Sequence, residues 1–374
     1  MLAQSEVVGP QVNLPGSEQL APVFFGLCTF VLLVALAISL FVRHRRSPKG
    51  QRPVPVVSIV IAVLAFAALV TTIVRLPPSF SSPEFPPLER LFPDDAVFYR
   101  TATDLPVSAD SDRWLAAMGD TPLLAGFGDQ PVDGIVFGIP FNPVTPRAPM
   151  TDVRFRRDPS GSFGGGYPVA DPAYIESMPT YGSDNHYVAI DREQDRMWEL
   201  LGTVVWFGRW EADTGAVWDL DSLQLGEWKT MASWLPLMPG VITYDEVAAG
   251  RIDHVVHAAS PAMSATEFVW PSLGTDGPNQ DPDAPPMGAW LRLRDDVDLS
   301  GLGPQATVIA EALQTYGLLL SDTSGGNFAL RGTPDGRFDR GDLSTLGSIG
   351  PEDFEVVDAS GVMVAPDSMA ARQP

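Results

Sequence analysis

Acid and base chemistry at neutral pH is carried most often by histidine, and three of the four histidines, His186, His254 and His257, lie past residue 185. If residues 252–259 form a strand, His254 shares a face with Ile252 and Val256 while His257 points the other way, so the two cannot clamp a metal together. His186 heads an apolar run ending at Asp191, and these two also face opposite sides, so a His–Asp relay needs partners from elsewhere. No Gly-x-Ser-x-Gly elbow supports a serine hydrolase. Paired carboxylates are the alternative, because glycoside hydrolysis needs two of them across a sugar ring. Asp219 and Asp221 share a face if residues 216–222 form a strand, and Asp191 and Glu199 belong to a neighbouring hairpin. These four are the acid and base candidates, with His186 or His254 positioning substrate.

Nine tryptophans all lie beyond residue 113, and six of them fall between Trp198 and Trp234. Core packing accounts for most, but Trp206 and Trp210 on one strand would sit roughly 13 Å apart on one face and could stack separate sugar rings. The loops 276–283 and 335–342 are rich in hard oxygen ligands without an EF-hand pattern, which makes Asp281 and Asp283 weak calcium candidates. Gly164-Gly165-Gly166 lacks the Lys and Ser/Thr of a phosphate loop. The single cysteine, Cys28, lies in an apolar stretch and excludes disulfides and thiolate chemistry from the rest of the chain.

The elements that must position these residues are short. Thirty-six prolines and thirty-four glycines favour turns and strands over helices. Strands are expected at Gly134 to Pro140, Tyr187 to Ile190, Thr203 to Phe207, Ala216 to Leu220, Phe268 to Trp270 and Trp290 to Leu293, in a sandwich-like α+β arrangement. Two helices carry end signals. Thr243 and Glu246 stand at capping-box spacing with Gly250 closing, and Pro304 opens a stripe of Val308, Ile309, Ala312, Leu313 and Tyr316 closed by Gly317.

Residues 20–42 and 53–74 are uncharged and long enough for two transmembrane helices. The loop 43–52 between them holds five fixed positive charges and the tail 1–19 none, so the loop is expected in the cytoplasm and both chain ends outside. Residues 75–95 read as a proline-rich spacer, 96–360 as one extracytoplasmic β-rich domain and 361–374 as a tail. Six of the 24 basic and two of the 46 acidic residues lie at or before Arg75, leaving a net charge of about −26 beyond it. Such a surface excludes nucleic acid and suits neutral glycans, soluble cations or basic proteins.

An ordered series of phrases runs through residues 100 to 360: Asp184 to Arg192, then Trp198-Glu199-Leu200, Leu235 to Val247, Gly250 to His254, Pro285-Pro286-Met287-Gly288, Tyr316-Gly317-Leu318 leading to Asp322, and Asp353 to Asp358. In this order they resemble a widespread set of exported bacterial proteins of unsettled activity. The resemblance implies one exported, mostly β domain and assigns no catalytic residue. Two functions are therefore expected: a membrane-anchored envelope protein that binds or hydrolyses a surface carbohydrate, or a non-catalytic module that docks another envelope protein.

Overall fold

A computed structural model describes residues 84–131, 135–178 and 183–374, and Ser82–Pro374 cluster as one compact unit. Its largest sheet has six strands: β1 (Leu123–Leu124), β11 (Val256–Ser260), β12 (Trp290–Leu293), β13 (Leu318–Thr323), β14 (Phe328–Leu330) and β15 (Phe354–Val357), in the order β1-β14-β11-β13-β12-β15. It is mixed, with β11 parallel to β13 and β12 antiparallel to both β13 and β15. A second sheet is a meander of β6 (Tyr187–Asp191), β7 (Arg196–Leu201) and β10 (Thr214–Asp219), with β2 (Asn142–Pro143) parallel to β6. Two small sheets complete the strands: β3 (Met150–Thr151) with β5 (Tyr167–Pro168), and a finger of β4 (Val153–Phe155), β8 (Val204–Trp206) and β9 (Arg209–Ala212).

Burial explains why these segments hold their places. On β13, Leu318 and Leu320 join the apolar cluster formed by helix α3 (Pro304–Thr315), while Leu319 joins a second cluster with Trp290 and Val357. A strand covered on both faces reads as a continuous apolar run, which Leu318-Leu319-Leu320 is. The meander alternates in the same way. Val188 and Ile190 enter the second cluster, and Tyr187 and Ala189 enter a third with Trp210 and Tyr167. The two larger sheets thus share one core as a sandwich does, but α3 covers the outer face of the first and the finger packs over the second.

Both helices expected from end signals are present. The first is α2 (Tyr244–Ala248), where Glu246 accepts from the Thr243 backbone N–H at 3.0 Å and hydroxyl at 2.7 Å, with Gly250 past its end at φ +77°. Helix α3 ends at Gly317, φ +75°, and its first turn is capped by Asp342, which accepts from the Gln305 and Ala306 N–H groups at 2.9 Å. Asp342 lies on helix α4 (Arg340–Leu343); the remaining helix, α1, spans Ser111–Met118.

Several expectations are corrected. A fold of two membrane-spanning helices plus a sandwich is not what the structure supports: among the described residues no helix is long and apolar enough to cross a membrane, and 20–42 and 53–74 lie outside the described residues. The β-rich character is as expected, and the largest sheet is mixed. Residues 84–95 are part of the domain, because Phe85, Leu91 and Phe92 are buried in the second cluster. So is the C-terminal stretch, through Met369 and Ala371. Phe268 to Trp270 forms only a bridge to Met287, and His254 precedes its strand, which starts at Val256.

Candidate functional site

Each of the four carboxylates expected to do chemistry has other work. Asp191 is buried at the β6–β7 turn, where it accepts from the Glu193 and Gln194 N–H groups and from the Gln194 amide, a turn-closing role. Glu199 is fully buried on β7 and accepts from the Thr230 hydroxyl at 2.6 Å and the Leu237 N–H at 2.7 Å, tying the 230–238 segment to the meander. Burial raises its pKa against those hydrogen bonds. Replacing Glu199 by alanine orphans both buried donors and is expected to cost roughly 3 kcal/mol in a denaturant melt, with glutamine losing much less. Asp219 and Asp221 are exposed in one turn, Asp219 accepting from the Asp221 N–H. None of the four lines a pocket with another.

The histidines divide as well. His254 lies with both ring nitrogens against acceptors, the Val255 carbonyl at 2.9 Å and Glu246 at 3.2 Å, and is therefore an imidazolium. Burial opposes that charge, but Glu246 outweighs it and raises the pKa. Glu246 thus closes a helix cap and a salt bridge together. His257 is buried against Phe98, and burial holds its pKa down at about 3. Asp281 and Asp283 belong to an exposed turn, and Asp283 pairs with Arg113 at 3.1 Å. Among the described residues no group of three or more histidine, cysteine or acidic side chains is placed to hold a metal.

The tryptophan pair is also corrected. Trp206 and Trp210 flank a hairpin turn, and Phe207 and Gly208 at its centre both have positive φ, +48° and +75°. Trp210 is buried edge-on against Tyr187 at 5.0 Å, whereas Trp206 is 65% exposed.

A polar cavity of about 300 Å³ gathers a different set. Asp184 and Asn185 reach it from the loop before β6, Asp322 and Thr323 from the end of β13, Asp276 from the loop preceding β12, and Arg156, Arg157 and Asp213 from the base of the finger. Asp322 Oδ2 accepts from Arg331 Nη2 at 2.7 Å, and Thr323 donates to Asp276 at 2.6 Å. Behind this wall lies Glu176, fully buried, accepting from the Ser183 hydroxyl at 3.0 Å and the His186 N–H at 3.1 Å. His186 is itself buried, and desolvation lowers its pKa to about 4, so the ring is neutral.

One guanidinium serves three carboxylates here. Burial raises Glu176 to about 7, with Arg331 pulling down and Asp184 pushing up. Burial likewise raises Asp322 to about 6, Arg331 again opposing and Asp184 and Asp276 adding to it. Burial raises two carboxyls of this cluster toward neutrality, which marks it as the candidate acid–base centre. Asn185 Oδ1 and Arg331 Nε are among the buried polar atoms with no hydrogen-bond partner among the described residues. Asn185 lines the cavity, at φ +52°.

Glu176 has a measurable signature. Its folded pKa lies above the usual carboxylate value, so its contribution to stability is complete below about pH 4.5 and is lost as pH rises through about 7. Glu176→Gln is expected to flatten that dependence and to exceed the parent by about 2 kcal/mol at pH 8, read from denaturant melts across pH.

Sequence reasoning passed over Asp322, Arg331 and Glu176. Asp322 closes an apolar strand run, and Arg331 follows β14, so the signal was a charged residue at each of two strand ends that only non-local pairing joins. No family model, curated protein or solved structure matches the chain.

Proposed function

We propose that this domain acts outside the cytoplasm on a carbohydrate, binding it in the cavity lined by Asp184, Asp276 and Asp322 and hydrolysing it with Asp322 as the acid that protonates the leaving glycosidic oxygen and Asp184 or Asp276 as the base that takes the proton of the attacking water. The observation that carries this reading is the convergence of these carboxylates in one polar cavity, where Asp322 is paired with Arg331 and raised by burial to about 6. Hydroxyl-rich ligands suit such walls, because every carboxylate and guanidinium edge offers a directional hydrogen bond. Asp322 lines the cavity and Glu176 lies behind it, so Asp322 is the group that meets substrate and Glu176 the one that tunes it. A hydrolysis and binding screen of polysaccharides, run with the parent and with Asp322→Asn, tests this directly.

A second reading rests on a different surface. A cavity of about 420 Å³ is lined by Trp114, Phe268, Val269, Leu273 and Met363, and Phe268 and Val269 are exposed at its edge. An exposed apolar recess of this kind fits a protein partner, the role of an envelope assembly module. Cross-linking of the chain in its native envelope, with Phe268→Ser as control, separates the two readings.

A further inference from the structure

The finger rises from the rim of the acidic cavity. Gly202 and Thr203 donate backbone hydrogen bonds to the Asp184 and Asn185 carbonyls at 2.7 and 3.0 Å, and Arg156, Gly202 and Asp213 at its base line the cavity. From Gly202 to Trp206 the strand covers about 13 Å.

Register decides what its outer face carries. Val205 pairs with Trp210 and Val153 with Trp210, and these residues join or pack against the third apolar cluster. The alternate positions form the opposite face: Arg154 against Glu211, and Trp206 against Arg209 at the tip. Arg156 continues that row to the cavity, pairing with Asp213 at 2.9 Å. Arg154 is 78% exposed. Arg209, also exposed, makes no ion pair among the described residues. Arg157 at the base touches Asp213 only at 3.9 Å and is 75% exposed. Residues 153–157 and 204–213 thus hold four arginines against Glu211 and Asp213, with Asp152 and Asp158 flanking the first segment, so the excess positive charge lies toward the tip at Arg209, on a chain of net charge −22.

The tip is not built for stability alone. Phe207 is fully exposed in the left-handed region, where Asn or Gly is the unstrained choice, and it borders a recess with Trp206, Arg209 and Glu211. Exposed rings beside free guanidinium groups stack on sugar faces and pair with sugar carboxylates.

We propose that the ligand is an extended acidic polysaccharide, with an uncharged ring in the Asp184–Asp322 cavity and carboxylate-bearing units laid along the finger from Arg157 to Trp206 and Arg209. The proposal rests on the carbohydrate reading above and gives it a polymer class and a direction. The cavity wall sets Asp184, Asp213, Asp276 and Asp322 against Arg156 and Arg157 and so disfavours an acidic ring, while Arg154 and Arg209 farther along the finger attract one, so the two parts select different units of one chain.

The test is calorimetric titration of the purified full chain with hyaluronan-type oligosaccharides, which alternate acidic and uncharged rings, and with uncharged cello-oligosaccharides. Trp206→Ala and Arg209→Ala are both exposed changes that spare the core. Each is expected to weaken binding of a long acidic oligomer roughly tenfold while leaving the matching disaccharide within about twofold. Asp322→Asn weakens both lengths. If the finger variants bind the long oligomer as the parent does, or if uncharged oligomers bind as tightly as acidic ones, the finger proposal falls while an Asp322-dependent cavity stands. If no oligosaccharide shows Asp322-dependent binding, both readings fall together.

Discussion

Replacing Arg331 by methionine is expected to destabilise the domain by about 3–5 kcal/mol at pH 8. The side chain is 18% exposed, its partner Asp322 is 14% exposed, and Glu176 and Asp184 also act on its charge. Removing the cation leaves three carboxylates facing one another in a desolvated wall, with Thr323 and Ser183 as their nearest donors. The loss has a sign in pH. Freed of Arg331, Glu176 and Asp322 titrate higher still, so the variant gains protons as pH falls and recovers part of its stability near pH 5. Arg331→Lys keeps the charge without the planar fork and is expected to lose about half as much. Denaturant melts of the three proteins at pH 5 and pH 8 check this; a loss independent of pH would mean that packing, not charge, holds Arg331 in place.

Asp322→Asn is the second large effect, and it falls on activity. Asparagine has one acceptor oxygen where Asp322 uses two, Oδ2 for Arg331 and Oδ1 for the Thr323 N–H, so one of these bonds is lost and the variant is expected to fold with a loss of about 1–3 kcal/mol. An amide cannot exchange the proton that a carboxyl with a pKa near 6 exchanges. The rate of glycoside cleavage is then expected to drop by about 10²–10⁴, and ligand binding weakens with it because the cavity loses a charged acceptor. The parent's rate should bend near pH 6, where Asp322 titrates, and near pH 7 through Glu176, as macroscopic steps of one coupled cluster. Equal rates for parent and variant would remove Asp322 from the reaction.

Short-range signals were realised as local structure. The Thr243–Glu246 box, Pro304 with its apolar stripe, Gly317, and the apolar runs at Tyr187 and Trp290 all became the elements their residues announce. The finger hid because its turn, Phe207-Gly208, lacks the Asn-Gly or Asp-Gly signal, so Thr203 to Trp210 read as one strand with its tryptophans on one face. The cavity hid for a different reason. Asp191 and Glu199 drew attention by standing near aromatic strands, yet a turn and the Thr230–Leu237 segment satisfy them. Asp322 and Arg331 meet because β13 and β14 both pair with β11, an arrangement set by burial on both faces of the sheet and not by spacing along the chain. The quoted phrases nevertheless contain Asp184, His186 and Asp322, three of the groups in or behind that wall.

The carbohydrate account stands or falls on the cavity. Its most direct test is a binding and hydrolysis screen across neutral and acidic polysaccharides with the purified chain, run side by side with Asp322→Asn. The account predicts a polysaccharide bound or cleaved by the parent, with cleavage lost in the folded variant. Silence across the panel, or a signal that Asp322→Asn leaves untouched, would contradict it and shift attention to the apolar recess at Phe268 and Val269.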